Sequence, residues 1–139
     1  MKKLALFVFF IIYVINVNAQ SEDASIRKAL YNYIEGTANG EPERVQKAFH
    51  KDLNLYSIRS GELNVWNGKK YIGNIKKGRK SNRVGKIISI DYVNNAAMAK
   101  LEIDMPGSKR LYTDYMLLLK IKGEWKVIHK SYTYKSYKN

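Results

Sequence analysis

Asp114 interrupts an otherwise apolar run that ends at Ile121. A carboxylate that faces a dry interior has to be paired, hydrogen-bonded or shifted in its proton affinity. Two chemical readings are open. In one, Asp114 or His50 is a general base and a tyrosine hydroxyl polarises a substrate carbonyl, because proton abstraction next to a carbonyl needs both roles. In the other, Asp114 bonds His50, Lys130 or a nearby backbone amide and anchors a sheet to its helices. His50 has its own structural reading, as a residue at a helix end stabilised by the helix dipole. The other polar or aromatic residues interleaved with core positions, and so able to line a pocket, are Tyr33, Tyr56, Trp66, Tyr71, His129 and Tyr132.

Several chemistries have no residues to perform them. Cysteine is absent, which removes thiol catalysis and a lipid-modified N-terminal cysteine. His129 has no His, Cys or carboxylate neighbour at metal-ligand spacing, and with two histidines in all no metal site is expected. There is no Gly-x-Ser-x-Gly, phosphate loop or dinucleotide fingerprint. No pattern calls for a cofactor, and none spells out a pteridine or flavin site.

The elements that must hold these side chains can be read from periodicity. Met1-Lys2-Lys3 precedes the unbroken apolar run Leu4 to Ile15, and Asn16-Val17-Asn18-Ala19 then turns small and polar. That is the layout of a secretory leader, and the run falls short of the roughly 20 residues of a bilayer span. Residues 1–19 are therefore expected to be removed after Ala19, leaving a bacterial periplasmic or secreted protein of 120 residues with no membrane span, an ordinary size for one domain.

From Ser21, the positions Ile26, Ala29, Leu30, Tyr33, Ile34 and Thr37 recur at helical spacing, with Ser21, Glu22 and Asp23 expected to cap the start. Gly36, Asn39 and Gly40 end the helix, and Pro42 opens a shorter one carrying Val45, Ala48 and Phe49 and closed by His50. The segments 52–58 and 63–66 alternate with period two and read as a hairpin. Asn67 looks like the cap of a third short helix with Tyr71, Ile72 and Ile75 on one face. The rest, 83–93, 96–105, 110–121 and 124–134, is an antiparallel meander punctuated by turn residues. Helices first and meander last argue for an α+β fold with helices packed on one face of the sheet.

The chain carries net charge +13, and removal of Lys2 and Lys3 with the leader leaves 23 basic against 12 acidic side chains, net +11. Such a charge favours anionic partners or simply a solvated basic surface. Lys69, Lys70, Lys76, Lys77, Arg79, Lys80, Arg83 and Lys86 together with the eleven tyrosines could build a stacking and phosphate-binding surface. Export argues against nucleic acid as the partner, and most of these tyrosines fall at strand positions, where they pack across strands.

The order helix, short helix, hairpin, helix and four long strands resembles the nuclear transport factor two-like superfamily, in which a strongly bent antiparallel sheet wraps helices into a cone. Ala48-Phe49-His50-Lys51-Asp52-Leu53-Asn54-Leu55 and the stretch from Thr113-Asp114-Tyr115 through Gly123-Glu124-Trp125 to His129-Lys130 look like the branch of it named for lumazine binding. His50, Asp114, Gly123, Trp125 and Lys130 match recurring positions there; His129 stands where Asn is more usual and Lys51 where Pro is. The resemblance covers residues 20–139 and implies one cone domain with a pocket. It also implies a homodimer through the convex face of the sheet, to which Tyr112, Met116 and Leu118 are the expected apolar contributors. The functional expectation is an exported, non-catalytic domain that binds a small molecule or a protein through its cone. The alternatives are an isomerase- or dehydratase-type enzyme using Asp114 or His50, and a binder of anionic envelope polymer through the basic loop.

Overall fold

The structure, a computed structural model, describes the backbone of residues 2–138 and the side chains of residues 21–138; the leader expected over residues 1–19 lies outside the latter. The elements are α1 (Lys2–Asn39), α2 (Pro42–Ala48), β1 (Asn54–Arg59), β2 (Glu62–Asn67), α3 (Gly68–Gly73), β3 (Val84–Val93), β4 (Ala96–Met105), β5 (Arg110–Ile121) and β6 (Glu124–Ser136), with a 3-10 turn at Pro106–Ser108. Six strands form one bent sheet in the order β2-β1-β6-β5-β4-β3. Every neighbouring pair is antiparallel except β1 and β6, which meet in parallel over only Leu55↔Lys130 and Tyr56↔Ser131. This is the α+β cone that the element order predicts. Among the described residues no helix is long and apolar enough to cross a membrane.

Helix α1 does not begin at Ser21. It runs unbroken from Lys2, because no glycine or proline separates the apolar run from the amphipathic segment. Glu22 and Asp23 are therefore mid-helix and have other partners: Asp23 pairs with Arg27 one turn on, at 2.6 Å. Glu22 takes a hydrogen bond from the buried Trp125 indole at 2.9 Å and pairs with Lys120. These two contacts hold the Glu22 carboxyl below its ordinary range and tie α1 to the β5–β6 turn.

The helical face Ile26, Leu30, Tyr33 and Ile34 packs against inward-facing residues of β4, β5 and β6, namely Leu101, Ile103, Met116, Leu118 and Val127, all at most 5% exposed. Alternation along β4 sends Ala97, Ala99, Leu101 and Ile103 inward, and along β5 it sends Asp114, Met116 and Leu118 inward. The expectation that Met116 and Leu118 supply an outer dimer patch is corrected by this parity: both are 1% exposed in the core. Their neighbours Tyr115, Leu117 and Leu119 are the outward residues, and with Met98 of β4 they form an apolar strip on the convex face.

Two irregularities bend the sheet: the register slips between Ile87 and Ser89 on β3, and between Leu117 and Leu118 opposite Val127 and His129. Each inserts an extra residue, Ile88 and Ile128, and reverses the facing of the strand beyond it. Helix α2 ends at Ala48, and His50 lies past it, its amide bonded to Val127 O at 2.9 Å in line with the β1–β6 seam. Asn67 caps α3 as its side chain suggests, accepting from the amides of Lys69 and Lys70 at 3.0 and 3.3 Å.

Gly68 opens α3 with its amide bonded to Leu53 O at 2.9 Å, and a Cβ there would lie 2.5 Å from that carbonyl oxygen. Gly73, at the other end of α3, has open space around it. In urea unfolding, Gly68→Ala is expected to lose about 1–3 kcal/mol from a clash with rigid backbone, while Gly73→Ala leaves the midpoint unchanged or slightly raised.

Candidate functional site

Strand parity and the Ile128 bulge together decide what the interior sees. Trp125 and Val127 face inward, the bulge shifts the phase, and Lys130 and Tyr132 then face inward in place of His129. Lys130 is thus brought beside Asp114 of β5. Its Nζ lies 2.7 Å from Asp114 Oδ2, with the two side chains 6% and 1% exposed. From the helix side, Tyr33 at full burial donates its hydroxyl to the same Oδ2 at 2.8 Å and accepts from Lys130 Nζ at 2.5 Å. Of the alternatives for Asp114, the structure selects the pair with Lys130.

The pair is packed among rings. Lys130 Nζ lies 4.6 Å from the centre of the Tyr33 ring, 5.2 Å from Tyr132 and 5.8 Å from Tyr71, distances at which a ring face attracts a cation. Tyr33 stacks on Phe49, Phe49 leans on Tyr71, and Tyr71 meets Trp66 edge-on at 5.2 Å. Burial first, and then the Asp114 carboxylate, push the Tyr33 phenol well above its ordinary value, so it remains protonated.

Beside this cluster lies a cavity of about 210 Å³. Its floor is Asp114, Lys130 and Tyr33; its walls include Trp66, Tyr71, Tyr112 and Tyr132; Arg83 stands at its edge. Burial alone would weaken the positive charge of Arg83, but the phenols of Tyr33 and Tyr71, a hydrogen bond to Tyr71 and the Asp114 carboxylate hold its proton more firmly than usual. Within the cone one polar atom stands out. Asp114 Oδ1 is buried with no hydrogen-bond partner among the described residues, although its twin Oδ2 has two. Buried polar atoms without partners are few in folded proteins, and this one belongs to a residue that lines the cavity.

A wider hollow of about 1050 Å³ adjoins, between the β1–β2 hairpin and the ends of β5 and β6, and shares Trp66, Tyr112 and Tyr132 with the inner cavity. It has no acid–base pair in its lining, whereas the smaller cavity is the one equipped with buried charge. The structure brings Tyr33, Trp66, Tyr71, Asp114 and Tyr132 together around that cavity. It separates the rest. Tyr56 and His129 stack on each other at 4.7 Å on the convex side, and His129 Nε2 lies 3.4 Å from Ser131 Oγ. His50 sits at the surface, its Nδ1 accepting from the Asp52 amide at 3.4 Å and lying 3.9 Å from the Asp52 carboxylate. Lys130, Arg83 and Tyr112 are not among the pocket residues that sequence interleaving picks out; Lys130 enters there only as one partner for Asp114. Among the described residues no group of three or more His, Asp or Glu is arranged to hold a metal.

The fold and its equipped cone define a nuclear transport factor two-like protein. The structure superimposes on an NTF2-like protein of unknown function from Shewanella baltica OS155 with TM-score 0.74 and 24% identity, covering 84% of this chain and 96% of the other. A second NTF2-like protein of unknown function, from Silicibacter pomeroyi DSS-3, gives TM-score 0.74 at 18% identity over 84% and 98%. A cystatin-like domain from Nostoc punctiforme PCC 73102 gives 0.63 at 18% identity over 84% and 79%. Within that fold the chain belongs to the family described as "Putative lumazine-binding", whose model matches residues 21–133. It is also 26% identical, over 83% of its length and 92% of the relative's, to a protein named aldolase FrzH from Cladobotryum sp.

Removing one member of a buried ion pair strands the other. Lys130→Met and Asp114→Asn are each expected to cost about 3–5 kcal/mol in urea unfolding, and the double variant less than the sum. Tyr33 supplies a pH signature. Its folded value lies above the ordinary 10.0, so its stabilising contribution is complete below that pH and is lost as pH rises from there towards the folded value. Tyr33→Phe is expected to lose stability at pH 8 and to show a shallower further decline at pH 11 than the parent.

Proposed function

We propose that this domain binds a small molecule in the cone cavity, with the Asp114–Lys130–Tyr33 cluster as the anchor at its floor. The observation that carries the reading is that Asp114, whose buried Oδ1 has no partner among the described residues, lines a ring-walled hollow. Ligand sites combine apolar walls with a few placed polar groups in this way, and at about 210 Å³ the cavity lies below the ~300–1,000 Å³ typical of drug-sized ligands. The family name agrees with a small ligand and makes lumazine a natural member of any first panel. The apolar leader run supports a periplasmic or secreted location.

A catalytic reading is favoured by a separate observation. Tyr33 has committed its hydroxyl proton to Asp114, whereas the hydroxyl of Tyr71, which also lines the cavity, donates to no carboxylate among the described residues. Asp114 Oδ1 would remove a proton next to a carbonyl while Tyr71 and the Lys130 ammonium stabilise the enolate oxygen. The relative named aldolase is consistent with enolate chemistry of this kind. His50, half-buried outside the cavity and engaged with Asp52, has no part in either reading.

The convex strip of Met98, Tyr115, Leu117 and Leu119 supports a homodimer with the two sheets face to face. In the basic loop, Lys77 pairs with Glu43 while Lys76, Arg79 and Arg83 border a hollow next to the cavity, an arrangement that favours a small ligand over an extended polymer.

Native mass spectrometry of the protein purified from its own host is expected to show protomers carrying an extra small mass, lost in Tyr71→Phe, which leaves the ion pair intact. Apo protein that also shows no thermal shift with lumazine or small carbonyl acids would sink the reading. In light scattering, Leu117→Glu is expected to convert a dimer to monomers that remain folded, because the residue is exposed in the protomer.

A further inference from the structure

We propose that the ligand is an aromatic anion: its ring lies in the inner cavity with an O–H or N–H donated to Asp114 Oδ1, and its carboxylate or phosphate sits at the mouth between Arg83, Arg79 and Lys76. This rests on the small-molecule reading above and names the chemical class that the site takes.

Charge accounting at the cavity sets the sign. Among the described residues Asp114 is the only acid lining it, and that acid is taken by Lys130 at 2.7 Å. Arg83 is left over: among the described residues no carboxylate forms an ion pair with it, and the Asp114 charge that acts on it is already paired with Lys130. Outward from Arg83 the space continues into a hollow of about 270 Å³, which shares Trp66, Tyr71 and Arg83 with the inner cavity. Thr37, Asn74, Lys76 and Arg79 complete its polar lining, and no described acid borders it. Lys76 and Arg79 also have no carboxylate partner among the described residues, whereas the adjacent Lys77 pairs with Glu43. Three cations and no described acid thus border the outer hollow, and a bound anion would supply the charge they lack.

The cations sit on a fixed loop. Gly78 N bonds to Gly40 O at 2.8 Å, Ser81 N to Ala38 O at 2.8 Å, and Arg79 N to Lys76 O at 3.1 Å. Gly40, with φ +69, has Arg79 and Lys76 backbone atoms 2.6–2.7 Å from where a Cβ would be, so only glycine lets the loop press this closely on the end of α1. A competing account has these cations merely complementing the negative end of the α1 dipole. The carbonyls of Ala38 and Gly40 at that end are already satisfied by loop amides, and Arg83 lines the cavity inside the cone. At the opposite end, Oδ1 asks for a donor, and the walls between are the faces and edges of Trp66, Tyr71, Tyr112 and Tyr132. Donor, ring and anion succeed one another in that order from floor to mouth.

Isothermal titration at low salt would compare 3-(4-hydroxyphenyl)propanoate with its primary amide, 2-(4-hydroxyphenyl)ethyl phosphate with the parent alcohol, and 3-phenylpropanoate, which lacks the donor. The charged member of at least one pair is expected to bind about tenfold more tightly than its neutral counterpart, and removal of the phenol hydroxyl to weaken binding by about the same factor. Whichever pair shows the preference assigns the anion as carboxylate or phosphate. Lys76→Gln/Arg79→Gln, two exposed sites that leave the core alone, should weaken the charge preference severalfold, with Arg83 still in place, without changing affinity for the neutral member. Lys69→Gln/Lys70→Gln, with the same change in net charge away from the mouth, should preserve it. Equal binding of charged and neutral members overturns the anionic class and leaves the small-molecule reading standing. Equal loss in both double variants reduces the effect to net charge and overturns the mouth site. No binding by any member overturns both.

Discussion

The buried contact of Asp114 with Lys130 and Tyr33 is the constraint around which the cone is organised. It joins β5, β6 and α1 at one point, so the helix cannot slide along the sheet without stranding a charge away from water. Apolar packing around it, from Ile26 and Leu30 to Met116 and Val127, is tolerant of small shifts; an ion pair in a dry interior is not. An apolar substitute of the same volume would serve stability as well or better. That the fold instead holds a carboxylate with one oxygen unspent, on the wall of a cavity, is the strongest sign that the pair has work beyond holding the sheet.

Most of the architecture was legible because period and punctuation agreed. Pro42, Asn67, Asn94-Asn95 and Lys122-Gly123 all mark real boundaries, and the order of helices and strands led to the right class of fold. The start of α1 was misplaced because Ser21-Glu22-Asp23 has the composition of a helix cap, and composition does not reveal that the chain before it is already helical. What Glu22 does instead, reaching Trp125 and Lys120 some hundred residues away, is a tertiary fact with no local signal.

The site was half legible. Asp114 announced itself as a charge in an apolar strand, and Tyr33 as the one polar ring on the buried helical stripe. The histidines misled for a definite reason. Counting by twos from Val127 points His129 inward, but the extra residue at Ile128 reverses the phase and delivers Lys130 in its place. A bulge of one residue leaves almost no trace in a sequence rich in Val, Ile and Leu, yet here it decides which base sits in the interior. Tyr56 obeys the same logic from the neighbouring strand, where Leu55 takes the inward position and leaves Tyr56 to stack on His129 outside. The outer patch went wrong on parity too, by choosing the even-numbered residues of β5 when the odd ones face solvent.

The parallel seam between β1 and β6 has a dynamic consequence. Strands β3 to β6 are joined by long antiparallel ladders between chain neighbours, which form early and open rarely, whereas the β1–β2 hairpin is stitched to them by two residue pairs and the short bridge at Phe49 and Val127. Leu55 and Trp66, which wall the cavity, ride on that hairpin. The most weakly stitched unit is therefore also one side of the chamber, and amide exchange in residues 54–67 reports how often that wall parts from Lys130 and lets contents enter and leave.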